Sequence, residues 1–283
     1  MDTDFKSSNI IQENKALVYN NLWLFIFVFI LILVLFYNDK VSIQNQKYLG
    51  EVYNNKLIIK NKFENLINPN YTVNKINDKM WFVEELLSVE YFNYLQSQFE
   101  GKKFDTKNYY YRKATGIDFN NLHKNNEYSG FLELYYSEDI IRVLANILNK
   151  PISRPPISDN NSCSLLIYSN PGDFIDWHLD YSNYYGDRYV VLLSLINSNK
   201  DGGCCSSNEF VYKDKINSGE KKLKLKPNNL LIFKGSEILH KSTQIEEGEK
   251  RILLSMTFCD ICQEKKNITY GIYETIKNYV LYK

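Results

Sequence analysis

The sequence predicts an α+β protein with helices in its first half, an antiparallel β sandwich or small barrel in its second, and a membrane-anchoring helix ahead of both. Three observations predict this. An uncharged apolar run occupies Leu22 to Tyr37, apolar residues recur at helical spacing between Asp78 and Leu148, and short apolar runs separated by turns follow Pro151, Pro155 and Pro156. A parallel sheet would need strands alternating with long helices, and the second half lacks that alternation.

Residues 1–20 form a polar tail, and the apolar run behind them reads LWLFIFVFILILVLFY. Its sixteen residues lie near the short end of the about 17–25 that cross a hydrocarbon core. Trp23 and Tyr37 sit near its ends, where amphipathic rings favour the headgroup region. The following Asn38-Asp39-Lys40 lacks a small-x-small cleavage site, which favours an uncleaved anchor over 21–37 rather than a signal peptide. A buried core helix would carry some polar face. Lysines flank the run on both sides and do not orient it. Signal-anchor precedent places the following domain in the lumen of an endomembrane compartment, where the sequons at Asn70, Asn160 and Asn267 become usable acceptors.

A stem over 38–75 precedes a helical support region over 76–160. One helix is predicted from Asp78 to Phe99, on Trp81, Phe82, Leu86, Leu87, Tyr91, Tyr94 and Leu95. A second runs from Ser137, as cap, to Leu148, with Ile140, Ile141, Leu144, Ile147 and Leu148 on one face. The β-rich core spans 161–262, with strands over 164–169, 189–196, 209–212, 222–225, 229–234 and 251–259. Residues 263–283 close the chain, with a helix over 270–282.

The chain has 283 residues and a formal charge of +1, which excludes nucleic-acid binding driven by basic excess. Its five cysteines leave at least one unpaired in a monomer. Cys259-Asp260-Ile261-Cys262 has redox or zinc spacing, but no second such pair completes a zinc site and no βαβ pattern surrounds it. For this pair and for Cys204-Cys205, ordinary thiols are the first reading and disulfides the second.

The chemistry concentrates in His178-Leu179-Asp180, His240 and Arg251. In an extended segment alternate side chains share a face, so His178 and Asp180 point the same way. Two imidazoles and one carboxylate suit a divalent first-row metal with open positions. Arg251 opens a strand and lies an even number of residues from Ser255, so a guanidinium fork and a hydroxyl face one side. Trp177 and Tyr181 flank the motif as substrate contacts or core residues. His123, in an Asn- and Lys-rich stretch, reads as a surface residue.

With Tyr168, Gly172, His178-x-Asp180, Asn197, Gly202-Gly203, Pro227, Leu231-Ile232-Phe233, His240, Gly248 and Arg251-x-x-x-Ser255 in this order, residues 164–259 resemble the prolyl 4-hydroxylase-like group of Fe(II)/2-oxoglutarate dioxygenases. The resemblance implies a double-stranded β-helix (jelly roll) core with packed N-terminal helices. It implies Fe(II) on His178, Asp180 and His240, and 2-oxoglutarate as cosubstrate. Arg251 and Ser255 would hold the distal carboxylate of the cosubstrate, and Tyr168 would donate a hydrogen bond to it. The reaction implied is hydroxylation of a protein or peptide side chain, prolyl first and lysyl second, with ascorbate as a possible auxiliary reductant. Asp180 supplies a carboxylate ligand, which disfavours halogenation. A small-molecule or lipid hydroxylase, or an inactive jelly-roll binding module, are the alternatives. Retention of all three ligands and Arg251 counts against the module. Cys204-Cys205 and Leu195 depart from the group's pattern, the latter where some relatives place a tyrosine near the cosubstrate.

Overall fold

A computed structural model describes residues 22–33, 63, 65–109, 111–156, 159, 161–215 and 217–265. Residues 22–33 form helix α1, whose side chains are exposed apart from a half-buried Leu31. Among the described residues no helix is long and apolar enough to cross a membrane. The predicted anchor over 21–37 extends past α1 on both sides, outside the described residues. The same holds for the tail 1–20, most of the stem, the closing helix over 270–282, and the sequons at Asn160 and Asn267.

The predicted helix over 78–99 is half strand. Thr72–Asn77 (β1) turns through Asp78 and Lys79 into Met80–Glu84 (β2), and only Val89–Ser97 (α2) is helical. Glu85 takes a left-handed φ of 54°, which stops a helix running through. Met80–Val83 instead gains ladder hydrogen bonds on both edges, from β1 and from Leu230–Lys234 (β10). The stem therefore ends earlier than predicted: Leu66, Ile67 and Tyr71 pack against the core. The support region also contains the hairpin Lys107–Tyr109 (β3) and Arg112–Ile117 (β4), and helices Phe119–Lys124 (α3) and Ser129–Tyr136 (α4). Glu138–Leu148 (α5) forms as predicted. The Ser137 hydroxyl accepts from Ile140 N at 3.2 Å, two acidic residues occupy its first turn, and Asn149 ends it in the left-handed conformation.

The remaining strands are Cys163–Tyr168 (β5), Phe174–His178 (β6), Arg188–Ser198 (β7), Phe210–Lys213 (β8), Lys221–Leu223 (β9), Leu239–Ser242 (β11) and Lys250–Cys259 (β12). Their pairings are antiparallel in the order β1-β2-β10-β7-β12-β5-β4-β6-β11-β8-β9. β4 is the corner. Its Thr115–Ile117 pairs with β5, whereas Arg112 and Lys113 pair with β6. The sheet thus curls over itself into two layers, the arrangement of a jelly roll.

Alternation on β7 and β12 sorts the core into two. Val191, Leu193, Leu195, Ile252, Leu254 and Met256 face outward onto α2, α4 and α5, meeting Tyr91, Leu95, Phe131, Leu134 and Leu144. Val190, Leu192 and Leu253 face inward onto Phe210, Tyr212 and Ile238 of the second layer. Each fully buried large side chain contributes about 1.5–3 kcal/mol. Leu195 belongs to the outward set, on the opposite face of β7 from the site.

The structure corrects two further expectations. Cys204–Cys205 and Cys259–Cys262 are disulfides, with Cys163 free and buried. His123 is buried on α3, stacked edge-on against Phe119, with Nδ1 2.7 Å from the Phe119 carbonyl and Nε2 3.2 Å from the Tyr136 hydroxyl. The one-turn repeat of α3 carries His123 to the Phe119 side, a direction that its Asn- and Lys-rich neighbours conceal.

Candidate active site

β6 and β11 are antiparallel neighbours, and His178 and His240 are direct partners in that ladder. Their rings lie 4.1 Å apart between centroids. The His178 Nδ1 is 2.7 Å from the Asp176 carbonyl, and the His240 Nδ1 is 3.0 Å from the Ile238 carbonyl. Each Nδ1 thereby serves as donor, which leaves each Nε2 lone pair as the ligand atom. Those Nε2 atoms lie 3.9 Å and 3.6 Å from the two Asp180 oxygens. The three ligand atoms fall within 4.8 Å of one another, close enough for one ion. This donor set fits Fe(II) with open coordination positions.

Asp180 is placed by backbone as well as by parity. Its N–H donates to the Gly235 carbonyl at 2.9 Å, in the turn after β10. A Cβ at Gly235 would lie 2.7 Å from Asp180 Cβ and 2.8 Å from Val190 Cγ2. Gly235→Ala is therefore expected to displace the carboxylate and weaken divalent-metal binding by roughly ten- to a hundredfold. The overpacking costs about 1–3 kcal/mol. Metal titration with a parallel melt checks both, and unaltered affinity would show that the approach is not limiting.

His240 is 6% exposed, stacked on Phe210 and met edge-on by Phe233. Burial and the neighbouring His178 push its imidazole down to about 4, against the opposing pull of Asp180 and the Ile238 carbonyl. The ring is neutral, hence ready to ligate, at neutral pH. The unfolded chain protonates it near 6.5, so acid favours unfolding. The stabilisation is full above that value and is lost as pH falls toward 4, on the order of 2 kcal/mol by pH 5. Burial lowers His123 as well, in the same sense. Denaturant melts of metal-free protein at pH 7 and pH 5 check this, and equal stabilities would contradict it.

The predicted anion site forms around Arg251, which is 0% exposed. Its Nη1 donates to Asn208 Oδ1 and, at 3.2 Å, to Ser242 Oγ. Nε and Nη2, which together make one edge of the fork, have no hydrogen-bond partner among the described residues. Burial pushes this guanidinium down to about 10, so it stays charged at neutral pH. A buried charge with an unpartnered two-donor edge fits a carboxylate. Tyr168, opposite Arg251 in the β5–β12 ladder, has its ring centre 5.8 Å from the guanidinium and its hydroxyl near Ser242. Burial raises its pKa, so the phenol remains a donor.

Ser255 is not at Arg251. Four residues along an extended strand separate them by about 13 Å, so shared parity puts both on one face but not in one place. The hydroxyl at Arg251 is Ser242's, on β11 two residues from His240, and the amide is Asn208's, just before β8. Neither stands in a motif near Arg251. Only the folding of one sheet layer over the other brings them there. Ser255 instead lines a cavity of about 350 Å³ shared with His178, Asp180, Trp177 and Tyr181.

No protein-family model matches the chain, and no curated protein matches it. Solved structures do. The epimerase SnoN from nogalamycin biosynthesis, in complex with Fe3+, alpha ketoglutarate and nogalamycin RO, matches 69% of this chain and 84% of its own at 10% identity, with a TM-score of 0.50. A Pseudomonas putida prolyl-4-hydroxylase matches 67% of this chain and 94% of its own, at 13% identity and TM-score 0.44. A Trichoplax adhaerens prolyl hydroxylase, in complex with a hypoxia inducible factor oxygen degradation domain peptide fragment, matches 65% and 83%, at 16% identity and TM-score 0.45. The fold is that of the 2-oxoglutarate/Fe(II) oxygenases.

Proposed function

We propose that the protein is a membrane-anchored Fe(II)- and 2-oxoglutarate-dependent oxygenase that hydroxylates a protein or peptide side chain. The observation that carries the oxygenase reading is the unpartnered, buried Nε–Nη2 edge of Arg251. It is held through Ser242 beside the His178–Asp180–His240 cluster. When bound, iron with 2-oxoglutarate and dioxygen supplies oxidation of a substrate C–H bond, giving succinate and CO2. The chain's part is positioning. The Asp176 and Ile238 carbonyls orient the two imidazoles, and Gly235 fixes Asp180. Arg251, Asn208, Ser242 and Tyr168 seat the cosubstrate carboxylate, and Phe210 and Phe233 exclude water from His240.

The mouth of the cavity supports a peptide. Tyr111, Leu179 and Tyr181 line it and are 37%, 44% and 57% exposed, an apolar and aromatic rim of the kind that receives extended, proline-containing chains. The second reading, a small-molecule hydroxylase, draws support from the polar lining of the cavity, where Asn161, Ser164, Ser255 and Thr257 stand beside the metal ligands. Succinate release with Fe(II), 2-oxoglutarate and dioxygen tests the choice. Stimulation by proline peptides is expected, and its absence beside stimulation by small acids would favour the second reading.

An apolar α1 with its side chains exposed supports anchoring, with the domain in the lumen. The two disulfides suit an oxidising compartment. Asn70, exposed in the turn before β1, is an acceptor there. An endoglycosidase-sensitive mass shift, lost in Asn70→Gln, is the expected result. An unshifted protein that pellets with membranes would support the opposite orientation.

A further inference from the structure

Between β7 and β8 the chain runs through a loop with two anchored ends. At the first, Asn199 Oδ1 accepts from the Asp201 and Gly203 amides at 3.0 Å and 2.9 Å, and the Asn199 amide donates to the Gly203 carbonyl at 2.8 Å. At the second, Asn197 Oδ1 accepts from the Ser206 amide at 2.8 Å and from its hydroxyl at 2.6 Å. The Glu249 carboxylate accepts from the amide and the hydroxyl of Ser207. Asn208 then donates to the Thr243 carbonyl and accepts from Arg251 Nη1. Between the two anchors stand Cys204 and Cys205, joined to each other as a disulfide. Arg251 lies opposite Asn197 in the β7–β12 ladder. The bridge is thus continuous, through Ser206 and Ser207, with the amide side chain that holds the guanidinium.

A bridge between adjacent residues closes the shortest of loops and takes little freedom from the unfolded chain, so it contributes little as a staple. It is also open to attack. Cys204 is exposed and Cys205 half-buried, and Cys204 lines a groove of about 490 Å³ that shares no lining residue with the metal cavity. In the other bridge Cys259 is buried and held within β12 by two backbone hydrogen bonds to Ser153. Exposed bridges are the labile, regulatory kind. Resting on the oxygenase reading above for the ligand concerned, we propose that Cys204–Cys205 is a thiol–disulfide exchange site for a dithiol reductant, whose state sets the affinity of the Arg251 site for 2-oxoglutarate. A thiolate of the reductant attacks Cys204 Sγ and expels the Cys205 thiolate. The second thiol of the reductant then displaces Cys204, so the reductant leaves as a disulfide and its two protons pass to Cys204 and Cys205. Opening the ring frees the path from Gly203 to Ser206. Asn208 is then no longer preset at Nη1, and the guanidinium loses a partner that aims its Nε–Nη2 edge. The oxidised protein binds 2-oxoglutarate tightly and the reduced protein weakly.

The test uses the full chain in detergent, loaded with Mn(II), an ion that takes thiol ligands poorly. Samples are equilibrated at stepped ratios of dithiothreitol to its disulfide form. Mass mapping after alkylation reports which bridge is open, calorimetry the affinity for 2-oxoglutarate, and amide hydrogen exchange the protection of residues 206–213. Cys204–Cys205 is expected to open before Cys259–Cys262. Its opening is expected to weaken 2-oxoglutarate binding by about tenfold, the contribution of roughly one hydrogen bond to a charged group. Protection of 206–213 falls with it, and reoxidation restores both. Cys204→Ser combined with Cys205→Ser shows the weak affinity at every ratio. Should that variant fail to fold, the reversible titration of the wild type still decides. Affinity that holds as Cys204–Cys205 opens, or that changes only when Cys259–Cys262 opens, overturns the proposal. A Cys204–Cys205 bridge still closed after the other has opened overturns it too, as does unchanged protection of 206–213. A protein that binds no 2-oxoglutarate in either state, yet reversibly loses that protection as Cys204–Cys205 opens, keeps the exchange site while overturning the oxygenase reading.

Discussion

Replacing Arg251 by methionine is expected to weaken 2-oxoglutarate binding by roughly a hundred- to ten-thousandfold without destabilising the cosubstrate-free protein. The size follows from the two donors of the unpartnered edge. Hydrogen bonds to charged groups contribute about 1.5–3 kcal/mol each, and about 1.4 kcal/mol is a factor of ten in affinity. The unchanged stability follows from burial. A fully buried guanidinium with half its fork unpartnered carries an unrecovered desolvation cost, and an apolar replacement of similar length removes it. The substitution also frees Asn208 and Ser242 from Nη1, which offsets part of that gain. Calorimetric titration and a thermal melt on the same preparation separate the two effects. Weak binding together with a collapsed melting temperature would instead mark Arg251 as a structural residue.

Replacing Asp180 by alanine is expected to abolish stable Fe(II) binding and all turnover. The carboxylate is the one negative charge in the cluster, its oxygens 3.9 Å and 3.6 Å from the two imidazole Nε2 atoms. Two neutral imidazoles alone leave the ion neither charge-compensated nor held on a third side. The loss should exceed the roughly ten- to a hundredfold penalty typical of groups that merely support a ligand, such as Gly235. Binding by equilibrium dialysis checks it. Affinity retained in Asp180→Ala would place the metal elsewhere.

What is legible in the sequence is what local spacing encodes. His178 and Asp180 share a face because two residues separate alternate side chains on a strand, and α5 announces itself through Ser137 and its apolar stripe. His240 is reached through the family resemblance, and its physical basis, direct cross-strand pairing with His178, is a matter of register. Asn208 and Ser242 carry no local signal because they reach Arg251 only when one layer folds over the other. Ser255 is misplaced at the cosubstrate because parity fixes a face and not a position along it. The stretch from Met80 to Val83 carries apolar residues at spacings that a helix also accepts. Its strand state comes from β1 and β10 on either side, partners that no local window contains. His123 stands among polar neighbours in the sequence, yet its helix turns it onto Phe119.

Iron and 2-oxoglutarate are expected to meet between the two histidines, Asp180 and Arg251, and anaerobic titration of the full chain with both tests that most directly. The expected result is a visible metal-to-cosubstrate charge-transfer band that is absent in Asp180→Ala and needs far more 2-oxoglutarate to appear in Arg251→Met. A well-folded wild-type protein that shows no band would contradict it.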